Sequence, residues 1–231
     1  MLANLEREIG CIYSGETPQI LELRALAHTI AERGLSNQPF LDLLDAFRQD
    51  QRKSRYADWA ELLDYCRRSA NPVGRLVLET VGELGGADAG RKIALSDSIC
   101  TGLQLANFWQ DVAKDFALGR IYIPADAMAR HGVDEAAIAR GEARPGSAAC
   151  SRDCAIEPSR SSPRERAGRP DREAAEIPIL AFAIAGQELL RRIREAGFDV
   201  FHRRPEIGNL PIQKILAKAA AARWIPAFRP K

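Results

Sequence analysis

The chain has 231 residues, with 33 Lys and Arg against 31 Asp and Glu and a formal net charge of +2 at pH 7. A chain of this length can bury a full hydrophobic core, so we expect a single domain over residues 1–231. The charge balance gives no basic surface of the kind that binds nucleic acid, so nucleic acid is excluded as the expected partner.

Cysteine usage and hydropathy indicate the compartment. The five cysteines are odd in number and scattered, which favours reduced thiols in a cytoplasmic protein over a disulfide framework. They are Cys11, Cys66, Cys100, Cys150 and Cys154. No apolar run is long enough to span a bilayer. We therefore expect a cytoplasmic protein, and peripheral contact with a membrane surface stays open.

Helical periodicity runs through most of the chain and predicts an all-α fold. Apolar residues recur at helical spacing, and no sustained alternation of apolar and polar residues indicates a strand. The predicted helices cover residues 2–13, 17–34, 40–52, 60–68, 75–81, 125–131, 134–140, 177–196 and 211–224, with a long helix from Ala89 through Asp115. Residues 145–172 are different, because they are rich in Ser, Pro and Arg and nearly free of large apolar side chains. This composition predicts a disordered linker.

The third predicted helix ends in a charged cluster made of Arg48, Asp50, Arg52, Lys53 and Arg55. Clusters of this kind occur both at solvated helix ends and in phosphate-binding sites. We favour the solvated helix end, because a run of charges on its own is weak evidence for a ligand.

A break in the helical pattern falls at Ser69–Gly74. Pro72 and Gly74 interrupt a run that is otherwise strongly helical, and an interior proline costs a helix about 3 kcal/mol. One interpretation is that the small residues Ala70 and Gly74 let a bulky apolar ligand approach the backbone. The other is a simple kink, and the residues alone leave the two interpretations open.

Four polar residues share one face of the long helix. Gln104, Asn107, Asp111 and Asp115 follow at i, i+3, i+7 and i+11, which places them within an arc of roughly 80°. The two carboxylates lie one turn apart, roughly 6 Å along the axis. We call these four residues the polar face. Its oxygen atoms are the ligands that hard divalent cations prefer.

A solvated helix surface is the simpler explanation of two aspartates at i, i+4. The other directions of this helix argue against it, because they are mostly apolar. Those apolar residues are Leu103, Leu105, Ala106, Phe108, Trp109, Val112 and Phe116. Carboxylates carried by a buried helix must be paired or bound to metal, so we favour a metal site.

Two motifs together resemble the squalene/phytoene synthase family. The polar face followed by Gly119-Arg120-Ile-Tyr122-Ile-Pro124 is similar to the second Asp-rich motif of that family. Tyr65-Cys66 with Ala70-x-x-Val73-Gly74 is similar to the broken helix that lines its prenyl cavity. The resemblance implies an isoprenoid-synthase helical bundle that uses Mg²⁺ to join or rearrange prenyl diphosphates.

The resemblance also implies roles for individual residues. Asn107, Asp111 and Asp115 are expected to bind Mg²⁺, and Asp111, Asp115 and Tyr65 are expected to be catalytic. The expected substrate-binding residues are Gln104, Gln110, Ala70, Val73 and Gly74, with Tyr65 also in the pocket wall. Gln110 stands where the family usually has an arginine that would face phosphate.

Gln110 and the unusual Ser69–Gly74 segment are similar to the bacterial hopanoid branch, the hydroxysqualene synthases. The implied reaction converts presqualene diphosphate to hydroxysqualene with release of diphosphate. One alternative is a presqualene-diphosphate or phytoene synthase acting on prenyl diphosphates such as farnesyl diphosphate, although Gln110 and Trp109 count against it. The other alternative is a catalytically inactive helical remnant.

Two departures from the family concern whole segments. The first Asp-rich motif of the family has no counterpart before Leu2, so we expect an N-terminally truncated, incomplete domain. Residues 145–172 replace a helical hairpin of the family, and a frameshifted stretch is an alternative to a linker there. Resequencing the locus and finding an intact frame would exclude a frameshift.

Overall fold

The computed structural model describes residues 1–141, 184–197, 199–200, 204, 206 and 213–214. Within these ranges the regular elements are helices, and no strand is present. The predicted all-α class is therefore confirmed. The stretch 145–172 lies outside the described residues, and so do Cys150, Cys154 and most of the predicted C-terminal helix.

Ten helical segments longer than two residues lie in the described part of the chain. They are α1 (Leu2–Ser14), α2 (Leu21–Arg33), α3 (Gln38–Asp50), α4 (Trp59–Ser69), α5 (Asn71–Thr80), α6 (Ala89–Gln110), α7 (Val112–Ala117), α8 (Ala125–Arg130), α9 (Glu135–Ala139) and α10 (184–195). No helix among the described residues has both the length and the apolar character needed to cross a membrane.

The break between α4 and α5 is shorter than the sequence pattern predicts. A single residue, Ala70, separates the two helices, and α5 begins at Asn71 rather than at Arg75. The prediction was wrong because Pro72 lies in the first turn of α5. A proline there replaces an N–H group that has no partner within the helix, so the cost of an interior proline does not arise.

The chain divides into two compact units. The first consists of Met1–Lys53 and Leu63–Thr101. Its described hydrophobic core contains Ile9, Leu23 and Leu44, which come from α1, α2 and α3. Partly buried apolar residues pack around them, namely Leu2, Leu5, Ile12, Ile20, Leu26 and Phe40.

The second unit consists of Ser54–Leu62 and Gly102–Lys231. Its core joins the end of the long helix to the short helices and to α10, through Val112, Ile121, Ile123, Met128, Ile138, Ile193 and Val200. Trp109 and Phe116 pack against this core from α6 and α7. The polar face therefore belongs to the helical run that supplies core residues on its other sides.

A buried carboxylate organises the turn between α1 and α2. Glu8 is 3% exposed and accepts backbone hydrogen bonds from the N–H groups of Gln19 at 2.5 Å and Ile20 at 3.3 Å. The Gln19 hydrogen bond holds the pKa of Glu8 below its ordinary value of 4.5, against burial, which raises the pKa. The ionised form of Glu8 is therefore the one that the fold stabilises.

Replacing Glu8 with Gln should lower the thermal midpoint at pH 7, because the amide is a weaker acceptor for the two N–H groups. A group whose pKa is depressed on folding contributes stability above its unfolded pKa and loses it as the pH falls through the folded pKa. The difference between wild type and Glu8→Gln should therefore shrink as the pH is lowered below 4.5. Thermal melts followed by circular dichroism between pH 7 and pH 3 measure this difference in midpoint.

The exposed Glu32→Gln is the matched control and should change the midpoint little at any pH. A Glu8→Gln difference that stays constant down to pH 3 would show that the charge of Glu8 is not what the turn stabilises.

Candidate functional site

The backbone keeps the helical spacing of the polar face across the junction of α6 and α7. The Asp111 N–H donates to the Asn107 carbonyl at 3.0 Å, and the Asp115 N–H donates to the Asp111 carbonyl at 2.8 Å. Asp111 itself has φ −103° and ψ 13°, so the helix is locally distorted there without losing these bonds. Asn107, Asp111 and Asp115 thus follow one another at one-turn intervals.

Burial differs along the polar face. Asp111 is buried, with 7% of its surface exposed, whereas Asp115 and Gln104 are half-buried and Asn107 is exposed. Phe108 and Leu105, on the other side of α6, are buried. The helix is therefore half-buried. The Asn107 side chain is open to solvent, and the Asp111 carboxylate is buried.

Gly119 ends the helical run just beyond the second aspartate. Gly119 has φ 76°, and the Arg120 N–H donates to the Asp115 carbonyl at 2.8 Å while the Gly119 N–H donates to the Phe116 carbonyl at 2.9 Å. This pair of bonds is a Schellman motif, which needs a left-handed residue and favours glycine. The glycine of the Gly119–Pro124 motif therefore reverses the chain after Asp115.

The reversed segment is fixed by residues from before α4. The Ile121 N–H donates to the Ser54 carbonyl at 2.9 Å, and the Ala125 N–H donates to the Tyr56 carbonyl at 2.9 Å. Tyr122 stacks on Phe108, with ring centroids 3.9 Å apart and planes 6° apart, and on Tyr56 at 5.7 Å. This aromatic stack attaches the Gly119–Pro124 segment to the helix that carries the aspartates.

Asp111 forms an ion pair with a residue far along the chain. The Arg204 Nε donates to Asp111 Oδ1 at 2.6 Å, and Arg204 Nη1 donates to Glu206 Oε1 at 2.5 Å. These two carboxylates raise the pKa of Arg204, with Asp111 the larger cause. Lys114 Nζ lies 4.0 Å from Asp111 Oδ2. The buried Asp111 carboxylate thus has a positive partner in this structure, as a buried charge requires.

Asp115 is in a less favourable position. Burial and the charge of Asp111 raise the pKa of Asp115, and Lys114 and Arg120 only partly offset them. Asp115 also lines a small recess with Arg120. The remaining lining residues are Phe108, Val112, Ile121, Tyr122 and Ile123. A carboxylate destabilised by a neighbouring carboxylate is stabilised when a cation lies near both.

The donor set of the polar face fits a hard divalent cation by its chemistry, since it offers two carboxylates and an amide oxygen. Among the described residues no group of three or more His, Cys, Asp or Glu side chains is placed to hold a metal ion. Asn107, the third residue expected to bind the cation, is an amide and is exposed. Burial and, as a second cause, the charge of Asp111 raise the pKa of Asp115, and a nearby cation would lower that pKa.

The predicted residues of the pocket wall lie in the first unit. Tyr65 and Ala70 are buried, at 4% and 8% exposed, while Val73 is 51% exposed. A Cβ atom on Gly74 would collide with Ser96 Oγ and would lie 2.6 Å from Cys100 Sγ. Gly74 thus lets α5 approach α6 closely, and this packing is a sufficient reason for a small residue there. Gln110, in the second unit, is half-buried.

Two arginines of the charged cluster at the end of α3 pair with carboxylates. Arg48 donates to Glu6, and Arg55 donates to Glu135 Oε1 at 2.7 Å and to the Gly119 carbonyl at 2.7 Å. These two arginines are thus engaged by groups of the protein, and the preference for a solvated helix end stays a prediction. Asp50 differs, because it accepts a hydrogen bond from the Tyr65 hydroxyl at 2.8 Å.

Sequence reasoning missed two contacts of the expected site residues, that of Arg204 with Asp111 and that of Asp50 with Tyr65. Arg204 pairs with an aspartate 93 positions earlier, and no local pattern indicates such a distant partner. Asp50 was hidden among neighbouring charges. A signal for it existed, because an aspartate at the last position of a helix lies near the negative end of the helix dipole and needs another reason to be there.

Together the fold and the site define an all-helical protein that presents an amide and two carboxylates on one helical run. Comparison with known proteins assigns the family. The family model described as squalene/phytoene synthase matches residues 1–210. The chain belongs to the squalene/phytoene synthase family.

Individual relatives agree with this assignment. A hydroxysqualene synthase of Sinorhizobium fredii is 44% identical over 130 residues, which are 55% of this chain and 41% of that protein. A chloroplastic phytoene synthase of Zea mays is 32% identical over 138 residues, 59% of this chain and 33% of that protein. The matched part thus spans about two fifths or less of these relatives.

A solved structure extends the likeness to the whole chain. The squalene synthase HpnC from Alicyclobacillus acidocaldarius is 32% identical, with a TM-score of 0.56, and the alignment covers 100% of this chain and 74% of that one. The predicted isoprenoid-synthase helical fold is therefore confirmed.

Gly74→Ala should destabilise the protein by about 1–3 kcal/mol, because the added methyl group must displace Ser96 or Cys100. Gly102→Ala, in the middle of α6 with no atom within 4 Å of the added Cβ, is the matched control. It should be neutral or stabilising by about 0.5–1 kcal/mol. Urea unfolding followed by circular dichroism measures both changes. Equal effects of the two substitutions would contradict the close approach of α5 and α6.

Proposed function

We propose that this protein ionises presqualene diphosphate in a Mg²⁺-dependent reaction and that water captures the resulting cation to give hydroxysqualene and diphosphate. The observation that carries the proposal is the pair of one-turn-spaced aspartates on a half-buried helix, one of them buried and the other with a raised pKa. Such a pair is suited to a cation that neutralises a diphosphate leaving group.

The residues that would hold Mg²⁺ are Asn107, Asp111 and Asp115. When bound, the cation would supply the positive charge that a departing diphosphate needs. The distortion at Asp111 and the Schellman motif at Gly119 determine the positions of the two carboxylate groups. The Phe108–Tyr122–Tyr56 stack holds that geometry fixed, which makes the electrostatic stabilisation preorganised rather than acquired during the reaction.

The substrate side of the proposal assigns roles to the neighbouring polar side chains. Gln104, half-buried one turn before Asn107, would contact the diphosphate or the substrate. Gln110 would lie beside the diphosphate as a neutral amide in place of a cation. A neutral side chain there leaves charge neutralisation mainly to the bound metal.

The wall of the prenyl cavity is proposed to include Tyr65, Ala70, Val73 and Gly74. Their apolar surfaces would keep bulk water away from a carbocation until the intended capture. Val73, which is 51% exposed within the described part of the chain, offers an apolar surface that a prenyl chain would cover.

The choice of hydroxysqualene over other products of the family follows the relatives. The hydroxysqualene synthase of Sinorhizobium fredii is 44% identical, against 32% for the phytoene synthase of Zea mays over a segment of similar length. Gln110 and Trp109 favour the same branch. The second candidate is condensation of two prenyl diphosphates to presqualene diphosphate or phytoene. It uses a different substrate, and the two aspartates do not discriminate between the two reactions.

The purified chain should convert presqualene diphosphate to hydroxysqualene in the presence of Mg²⁺, with products identified by mass spectrometry. Asp111→Asn should lower the rate by at least about a hundredfold, because a neutral amide binds a divalent cation weakly. Asp126→Asn removes an exposed carboxylate of the same unit and should leave the rate unchanged.

Each other outcome has a definite meaning. Formation of presqualene diphosphate or phytoene from simpler prenyl diphosphates would support the second candidate. Loss of turnover with all these substrates, while circular dichroism still shows helices, would support an inactive remnant and contradict the proposal. An Asp111→Asn variant as fast as wild type would remove the metal assignment.

A further inference from the structure

The ion pair between Asp111 and Arg204 joins two side chains of very different exposure. Arg204 Nε donates to Asp111 Oδ1 at 2.6 Å, and both residues belong to the second compact unit. The Asp111 side chain is 9% exposed, whereas the Arg204 side chain is 43% exposed. The guanidinium thus supplies the positive charge that a buried carboxylate requires, and it keeps contact with solvent itself.

Contacts on both sides of Arg204 fix the segment that carries it. After the arginine, Arg192 of α10 donates its Nη1 to the Glu206 backbone carbonyl at 2.6 Å, and its Nε donates to Glu188 Oε1 at 2.9 Å. Before the arginine, Val200 is 3% exposed and belongs to the hydrophobic core to which α10 contributes. The position of Arg204 beside Asp111 is therefore supported by the tertiary structure of this unit.

A second carboxylate contacts the same guanidinium. Arg204 Nη1 donates to Glu206 Oε1 at 2.5 Å, and the Glu206 side chain is 64% exposed. A guanidinium has several N–H donors in a fixed fork, so it can keep one carboxylate when it loses another. Asp111 without Arg204 would have Lys114 at 4.0 Å, which is beyond hydrogen-bond distance. Asp111 therefore depends on this pair more than Arg204 does.

We propose that Arg204 is a positioning residue that holds the Asp111 carboxylate in the metal-free protein and competes with Mg²⁺ for it. This inference rests on the proposed function, in which Asp111 binds Mg²⁺, and deepens it by naming the group that the cation displaces. Two cations close to one carboxylate repel each other, so the binding of one weakens the binding of the other. Glu206 retains the guanidinium that leaves Asp111.

The competition predicts two effects of opposite sign. Because coupling between two binding partners is reciprocal, removal of the Arg204 charge should strengthen Mg²⁺ binding. The same change leaves a buried carboxylate without its partner, so it should destabilise the metal-free protein. An arginine that only stabilises the fold would produce the second effect without the first.

Isothermal titration calorimetry with Mg²⁺ alone, on purified chain freed of metal by a chelator, tests the proposal. Arg204→Gln should lower the Kd for Mg²⁺ by about fivefold or more. It should also lower the thermal midpoint of the metal-free protein, followed by circular dichroism. Arg130→Gln is the matched control, because Arg130 pairs with Asp126 elsewhere in the same unit. It should leave the Mg²⁺ affinity unchanged.

Two further variants separate the contact from a general effect on folding. In the Asp111→Asn background, Arg204→Gln should no longer lower the midpoint of the metal-free protein, because the two residues act through one pair. Arg204→Lys keeps the charge but lacks the Nε donor, so its Mg²⁺ affinity should lie between those of wild type and Arg204→Gln. If Arg204→Gln fails to fold, Arg204→Lys decides. Tighter Mg²⁺ binding than wild type supports the competition, and equal binding overturns it.

The failures of the two proposals are distinguishable. If wild type binds Mg²⁺ and Arg204→Gln binds it equally or more weakly, the competition is wrong while the proposed metal site stands. An unchanged midpoint of metal-free Arg204→Gln, or tighter Mg²⁺ binding in Arg130→Gln to the same degree, would also overturn the inference. If neither wild type nor Arg204→Gln binds Mg²⁺, the proposed metal site fails and the inference fails with it.

Discussion

The repulsion between Asp111 and Asp115 is the constraint on which the site depends. Two carboxylates one helical turn apart, at roughly 6 Å and an effective dielectric of about 20, repel by up to roughly 3 kcal/mol before solvent screening. Burial is the larger cause of the raised pKa of Asp115, and the charge of Asp111 adds to it. Arg204 relieves the repulsion at Asp111, which it contacts at 2.6 Å. The proposed Mg²⁺ would offset this repulsion by supplying positive charge near both aspartates.

The surrounding structure keeps the two aspartates from moving apart. The helical hydrogen bonds continue through Asp111, and Gly119 turns the chain back immediately after α7. Tyr122 then lies between Phe108 and Tyr56, which attaches the returning segment to the helix. Since side chains on a rigid element hold their geometry better than those on loops, this arrangement suits a site that must present charge in a fixed position.

Much of the fold could be predicted because helical periodicity is a local signal. The spacing of the polar face and the all-α class follow from the residues themselves. The start of α5 could not be predicted, because the pattern alone does not reveal that Pro72 lies in the first turn of the helix, where a proline is tolerated. Arg204 and Asp50 act on residues of other helices, so their partners depend on tertiary packing. The role of Gly74 likewise depends on the neighbouring helix that carries Ser96 and Cys100.

Mg²⁺ binding to the polar face is tested most directly by isothermal titration calorimetry of the purified chain with inorganic diphosphate present. Wild type should show a saturable heat of binding. Asp115→Asn, which removes one of the two opposing charges, should weaken Mg²⁺ binding by about tenfold or more. Identical titration curves for wild type and Asp115→Asn would contradict the assignment of the polar face as a divalent-cation site.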